Sequence, residues 1–146
     1  MSSIEIRPFA AADHAAARAL WQRTPGVGLS AADEAPAIEA FLHRNPGLSQ
    51  VALQDGQLVG TILCGHDGRR GLIHHLVTAP GLRRQGLARA LLQRGLRALH
   101  DAGIDKCHLM VFRDNAEGLA FWRRVGAQER VELSLYSMTT RGAAGH

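Results

Sequence analysis

The stretch Leu76-Val77-Thr78-Ala79-Pro80-Gly81-Leu82-Arg83-Arg84-Gln85-Gly86-Leu87-Ala88 decides how this chain is read. An apolar run stops at Pro80-Gly81, and a long helical pattern opens soon after, with Leu87, Ala88, Leu91, Leu92, Leu96 and Leu99 forming one stripe as far as about Asp101. The segment Arg83 to Ala88 therefore joins a strand to the first turn of a helix. The first N–H groups of a helix lack internal partners and sit at the positive end of its dipole, and Gly86 with Ala88 lets backbone approach a ligand closely. Such a turn is built to hold a pyrophosphate. It is not a nucleotide P-loop, because no Gly-Lys-Ser/Thr follows, and it lacks the leading Gly-x-Gly and the strand-helix-strand order of a dinucleotide fingerprint.

Working outward, Ile4, Ile6 and Pro8 read as a short strand, and Ala11 to Arg23 as a helix stopped by Thr24-Pro25-Gly26. Ser30 to Asn45 reads as a second helix, with Ser30 and Asp33 at capping-box spacing and Pro36 confined to the first turn. Val51 to Gln54 and Leu58 to Cys64 are strands joined by Asp55-Gly56, and Asp67-Gly68 turns into the strand Leu72 to Thr78. After the long helix come an apolar strand from Lys106 to Phe112, a helix from Asn115 to Val125 closed by Gly126, and an alternating last strand from Val131 to Met138. Strands followed by helix, strand, helix and strand give an α/β architecture, a mixed sheet with helices packed on it.

The chain has 146 residues, 17 Lys plus Arg against 13 Asp plus Glu, and 46% apolar residues. This suits one domain spanning residues 1–146 that folds on its own core. No apolar run approaches the ~18 residues of a membrane span and no signal peptide opens the chain, so the expected address is cytoplasmic, with no membrane partner. Cys64 and Cys107 stand apart, each in an apolar stretch, and read as reduced core thiols with no metal site. Aromatic residues make up 5% of the chain, too few to interleave with the arginines, and no nucleic-acid signature appears.

The residues resemble the GCN5-related N-acetyltransferase (GNAT) family over nearly the whole chain. The family's acetyl-CoA signature, Arg/Gln-x-x-Gly-x-Gly/Ala, is matched by Arg83, Gly86 and Ala88. A strand of the form Leu-x-Val-x-Pro precedes it, here Leu76-Val77-Thr78-Ala79-Pro80. Downstream come a strand, Asn115 opening a helix, and Phe121-Trp122-Arg123-Arg124-Val125-Gly126-Ala127 in place of the family's Phe-Tyr-x-x-x-Gly-Phe block. The resemblance implies a centrally splayed mixed sheet of about six to seven strands with about four helices. It also implies acetyl-CoA as cofactor, its pyrophosphate on the amides of Arg84, Gln85, Gly86, Leu87 and Ala88 and its pantetheine along Leu76, Val77 and Thr78. Arg83, Asn115, Phe121 and Trp122 complete that binding set.

The chemistry so implied is direct acetyl transfer to a primary amine of a small molecule. The alternatives are a protein N-terminal or side-chain acceptor and a non-catalytic acyl-CoA binder; a homodimer is left open. An amine of pKa ~10.4 is about one part in 10³ neutral at pH 7, so a base is needed. Many family members carry a Glu on the fourth strand where this chain has His74, whose ordinary pKa of ~6.5 suits a general base. His75 is the second choice, since strict alternation sends it to the opposite face unless a bulge intervenes. Trp122 occupies the position of the family's acidic Tyr and cannot give up a proton at neutral pH. Tyr136, the sole tyrosine, is expected to pack on the last strand. In Gly65 to Gly71, Asp67-Gly68 reads as a turn, with His66, Asp67 and the arginines as alternative acceptor contacts.

Overall fold

A computed structural model of the chain describes residues 3–82 and 86–141. Five strands form one sheet in the order β1-β2-β3-β4-β5: β1 Ile4–Pro8, β2 Gln50–Gln54, β3 Gln57–His66, β4 Gly71–Thr78 and β5 Cys107–Leu109. Each neighbouring pair through β4 is antiparallel, and β4 with β5 is parallel, with Gly71 opposite Cys107 and Ile73 opposite Leu109. Parallel neighbours need a long crossover, and α3, Leu87–Asp101, supplies it. The sheet is mixed, as expected, but has five strands among the described residues rather than six to seven.

Alternation along the central strands sorts the core onto two faces. Ala52, Ile62, Cys64 and Ile73 meet Leu87, Leu91, Leu92 and Leu99 of α3 on one side. On the other, Val51, Leu63 and Val77 meet Ala17, Leu20 and Trp21 of α1, His14–Gln22, and Ile38 of α2, Ala35–Arg44. The last helix, α4, Ala116–Arg124, adds Phe121 and Trp122 to the rim of the α3 face. Gly95 lets α3 lie this close: a Cβ there would stand 2.7 Å from Cys64 Sγ and 3.0 Å from Ile62 Cδ1. Both cysteines are free; burial pushes the Cys64 thiol up to about 12, in keeping with an inert core residue.

Several boundaries shift for local reasons. The first expected helix starts as a 3-10 turn, Ala11–Asp13, tied to β1 by a two-pronged Arg7–Asp13 pair at 2.8 and 2.9 Å. The second splits at Glu34, whose extended backbone separates the 3-10 turn Ala31–Asp33 from α2. Pro36 has no N–H to give the Ala32 carbonyl and its ring crowds that carbonyl, so one helix cannot run through; the chain restarts at Glu34, whose carbonyl accepts from the Ile38 amide. The Ser30–Asp33 capping box forms as expected, and Asp67 Oδ1 closes the Asp67-Gly68 turn by accepting from the Arg69 and Arg70 amides. The expected strand from Lys106 to Phe112 pairs only over β5, and the expected strand over residues 131–138 does not form. Tyr136, expected to pack, is 88% exposed. Alternation selects strand geometry, yet a strand also needs a partner edge to satisfy its backbone.

Gly95→Ala should lower the unfolding free energy by about 1 to 3 kcal/mol, because overpacking against Cys64 outweighs the better helix propensity of alanine. In a Cys64→Ala background the same change should cost distinctly less. Urea unfolding of the four chains checks this, and equal costs in both backgrounds would show that the contact is not the cause.

Candidate active site

Strand β4 carries one residue more than β3 opposite it. His74 faces Leu63 and Val77 faces Thr61, so three steps of β4 span two of β3, a bulge at His75 and Leu76. His75 has φ of 46°, a left-handed conformation that costs a side-chain-bearing residue on the order of 1–3 kcal/mol. Its neighbours hold it there. Thr61 Oγ1, fully buried, donates to the His75 carbonyl at 2.8 Å and accepts from Trp21 Nε1 at 2.9 Å. The Trp21 ring lies 4.5 Å from the His75 ring, and His75 Nε2 meets Asp33 Oδ1 at 2.7 Å.

The extra residue changes which face the histidines share. Without it His74 and His75 would point apart; with it His74 packs edge-on against Phe41 of α2, while His75 meets Trp21 of α1 and Asp33. Both turn to the α1 and α2 side. Asp33 is buried and multiply held: Oδ2 accepts from the Ser30 amide, Oδ1 faces His75, and its carbonyl accepts from His14 Nε2 at 2.8 Å. An ionised carboxylate only accepts, so His75 Nε2 carries a hydrogen and His75 is fixed in orientation. His74 has no hydrogen-bond partner among the described residues. Burial first, then the neighbouring His75, holds its pKa below the ordinary histidine value, with Asp33 pulling the other way. This lowering favours the neutral imidazole at pH 7, and neither ring nitrogen meets a hydrogen-bond partner among the described residues.

The sheet opens where this bulge sits. Pairing between β4 and β5 ends at Ile73 and Leu109 while β4 runs on to Thr78. Between them lies a cleft of about 750 Å³, with His74 to Thr78 on one wall, Leu109 to Phe112 on the other, and Ala88, Asn115, Phe121 and Trp122 at its sides. The backbone of β4 beyond Ile73 has no strand on the cleft side, so its N–H and C=O groups are available to a ligand. Gly86 stands at the head of α3 with φ of 80°. Val77 and Leu87 send their side chains into the two cores, which leaves only their backbone for binding. Asn115 caps α4 through Oδ1 on the Gly118 amide, and Trp122 meets Phe121 edge to face at 5.2 Å. The expectations for Arg83, Arg84 and Gln85 fall outside the described residues.

The cleft also uses residues that sequence reasoning passed over. Asp33 shows in sequence only as a cap residue; its second oxygen meets a histidine 42 positions away. Trp21 and Thr61 read as ordinary apolar-face and strand residues. The loop from Thr24 to Gly28 borders the cleft and packs closely on its far wall, a Cβ on Gly28 falling 2.9 Å from the Phe112 ring.

A sequence profile of the Acetyltransferase (GNAT) family matches residues 13–127. An acetyltransferase of Pectobacterium atrosepticum is 34% identical over 139 residues, 95% of this chain and 94% of that one. Among solved structures, the PaiA N-acetyltransferase of Thermoplasma acidophilum in complex with coenzyme A superposes with a TM-score of 0.72. It is 22% identical, covering 85% of this chain and 89% of that chain. Diaminobutyrate acetyltransferase EctA of Paenibacillus lautus, in complex with L-2,4-diaminobutyric acid and coenzyme A, gives a TM-score of 0.70 at 20% identity, covering 86% and 75%.

The geometry sets an order for histidine titration. His74 should titrate below ~6.5, and Asp33→Asn, by removing the one charge that favours its protonated form, should move it lower still. Ring-proton NMR across pH 4 to 8 reads both values; a His74 midpoint at or above 6.5, or a rise in the variant, would contradict this electrostatic account.

Proposed function

Since the chain belongs to the acetyltransferase (GNAT) family, we propose that it moves an acetyl group from acetyl-CoA directly to a primary amine of a small molecule, with His74 as general base. The observation that carries this reading is the pairing of a neutral, unpartnered imidazole with an opened sheet edge in one cleft. Bound acetyl-CoA supplies an activated thioester whose thiol, with a pKa near ~8.5 like that of cysteine, leaves as thiolate. The cleft fits it: the β4 edge at Leu76, Val77 and Thr78 offers extended backbone for an amide-bearing arm, and the amides at Gly86 to Ala88 head α3 for phosphate. Arg83, Arg84 and Gln85 join that set on the sequence motif, Asn115, Phe121 and Trp122 on the cleft wall.

His74 takes the proton of the ammonium acceptor at a ring nitrogen, directly or through water, and so delivers the neutral amine for attack. His75 is a positioning residue: the bulge brings it to the face of His74, which regular pairing with Leu63 already sets, and its Nε2, tied to Asp33, holds that distortion beside the His74 ring. Trp122 holds the wall of the cleft and offers no acid. A small amine as acceptor is supported by the size of the cleft, about 750 Å³, and by the likeness of the fold to that of an acetyltransferase crystallised with L-2,4-diaminobutyric acid.

Transfer of radiolabelled acetyl from acetyl-CoA to a panel of small amines and peptides tests the reading. Tight binding with no turnover on any acceptor would instead identify an acyl-CoA binder, the reading that Trp122 in place of a tyrosine favours. The neutral form of His74 is the base, and its depressed pKa keeps that form populated at lower pH. Activity should therefore rise on an acid limb below ~6.5, with no falling limb from a tyrosine near ~10. His74→Ala should lower kcat/KM by about 10² to 10³ and flatten the limb while CoA affinity holds. An unchanged pH profile would remove His74 from the role.

Gly86→Val should weaken CoA by tenfold or more, about 1.4 kcal/mol, because a β-branched residue cannot hold φ of 80° at the head of α3 without strain. Isothermal calorimetry with CoA measures it, and unchanged affinity would take the phosphate site elsewhere.

A further inference from the structure

The turn between β3 and β4 carries two arginines, Arg69 and Arg70, that the catalytic reading does not use. Between this turn and the end of α2 lies a second cavity of about 430 Å³, which shares no lining residue with the cleft at His74. Part of its lining is apolar: Phe41 of α2 and Leu72 of β4, the latter 42% exposed. His66 and His108 also line it, His108 directly opposite Leu72 in the β4–β5 register. Arg44, Arg69 and Arg70 join them, against a single acid, Asp67.

The positive charge is not cancelled locally. Asp67 commits Oδ1 to the Arg69 and Arg70 amides, and its Oδ2 lies 3.7 Å from Arg69 Nη2. Among the described residues no carboxylate pairs with Arg44 or Arg70; Arg70 Nη1 donates to the Arg69 carbonyl at 3.1 Å. The C-terminal end of a helix disfavours anions, but here the Phe41 carbonyl is taken by the Asn45 amide and Asn45 Nδ2 at 3.0 and 3.2 Å. Asn45, 4% exposed, also accepts from the His66 amide through Oδ1 at 3.1 Å, so the wall joining α2 to β3 is built in advance. His66 Nδ1 accepts from the Gly68 amide at 3.0 Å, which puts the ring hydrogen on Nε2 as a donor.

An exposed leucine and an aromatic ring set among guanidiniums without carboxylate partners suit a ligand of both characters. We propose that this cavity binds a small organic oxyanion, a carboxylate or phosphate carried on an apolar body. Its charge meets the Arg44 and Arg70 guanidiniums, whose forks match either group, and its apolar part meets Phe41 and Leu72. Phe41 is the partition between the two cavities. It lines this one, and its ring packs edge-on against that of His74, which lines the other, with centroids 6.2 Å apart. The anion therefore has a site of its own, one side chain away from the histidine.

Titration of the full chain with phenyl phosphate and with phenylacetate, followed by amide NMR, tests this. Inorganic phosphate, acetate and phenol supply the two characters singly. No assay of transfer is involved, so the outcome is independent of the catalytic reading. At least one of the two organic anions should shift residues 65–72 and 108 with a Kd below about 1 mM, about tenfold tighter than the single-character probes. Whichever binds more tightly identifies the charged group. Arg44→Gln with Arg70→Gln should weaken it by about tenfold or more, and Phe41→Leu should remove most of its advantage over the bare anion. Both arginines are exposed, so the double variant should keep the melting temperature of the parent chain. The proposal is overturned if neither organic anion binds at about 10 mM, if the double variant binds as the parent does, or if the shifts are confined to residues 86–88 at the head of α3.

Discussion

The site depends on one backbone distortion, the bulge at His75. A residue with φ of 46° in the middle of a sheet is unfavourable by itself, and it survives because three separate elements grip it. Thr61 from β3 satisfies its carbonyl, Trp21 from α1 covers its ring, and Asp33 from the turn before α2 takes its Nε2. Trp21 and Thr61 are themselves fully buried and satisfy each other. Loss of the Thr61 hydroxyl would strand two buried polar groups at once, each worth about 1–3 kcal/mol.

From this distortion the layout of the cleft follows. The extra residue rotates β4 by one step, so that His74 and His75 share a face and Ile73 and Val77, which strict alternation would put on one face, reach opposite cores. β4 and β5 part company beyond Ile73, and the freed backbone becomes a wall instead of a ladder. α3, drawn close on the other side by Gly95 over Cys64, brings its N-terminus to the same opening. Rigid packing on both faces is what lets an unpaired edge persist in the middle of the sheet.

His74 and Asp33 illustrate how chemistry is tuned by placement rather than by composition. Both histidines of the pair have the same ordinary pKa, yet one is tethered to a carboxylate and the other is left with free nitrogens in a partly buried site. Burial lowers the His74 pKa and so favours the neutral imidazole, the form that the proposed role of general base needs. The absence of tyrosine from the cleft is tolerable for the proposed transfer, whose leaving group is a thiolate.

Much of this could be read in the chain before any coordinates. The glycine turn ahead of α3, the alternating central strands, the capping box at Ser30 and the need for a long crossover between β4 and β5 are all local patterns or connection lengths, which sequence carries directly. The family resemblance rests on such motifs, and the place of His74 on the fourth strand is legible through it. What the tertiary structure alone decided were relations between distant residues: that Asp33 would clamp His75, that a bulge would bring His75 to the side of His74, and that residues 131–138 would find no partner despite their strand pattern. The physical reason is common to all three. A period-two pattern states which side chains could share a face, but the register, an inserted residue and the supply of a neighbouring edge are set by hydrogen-bond partners tens of positions away.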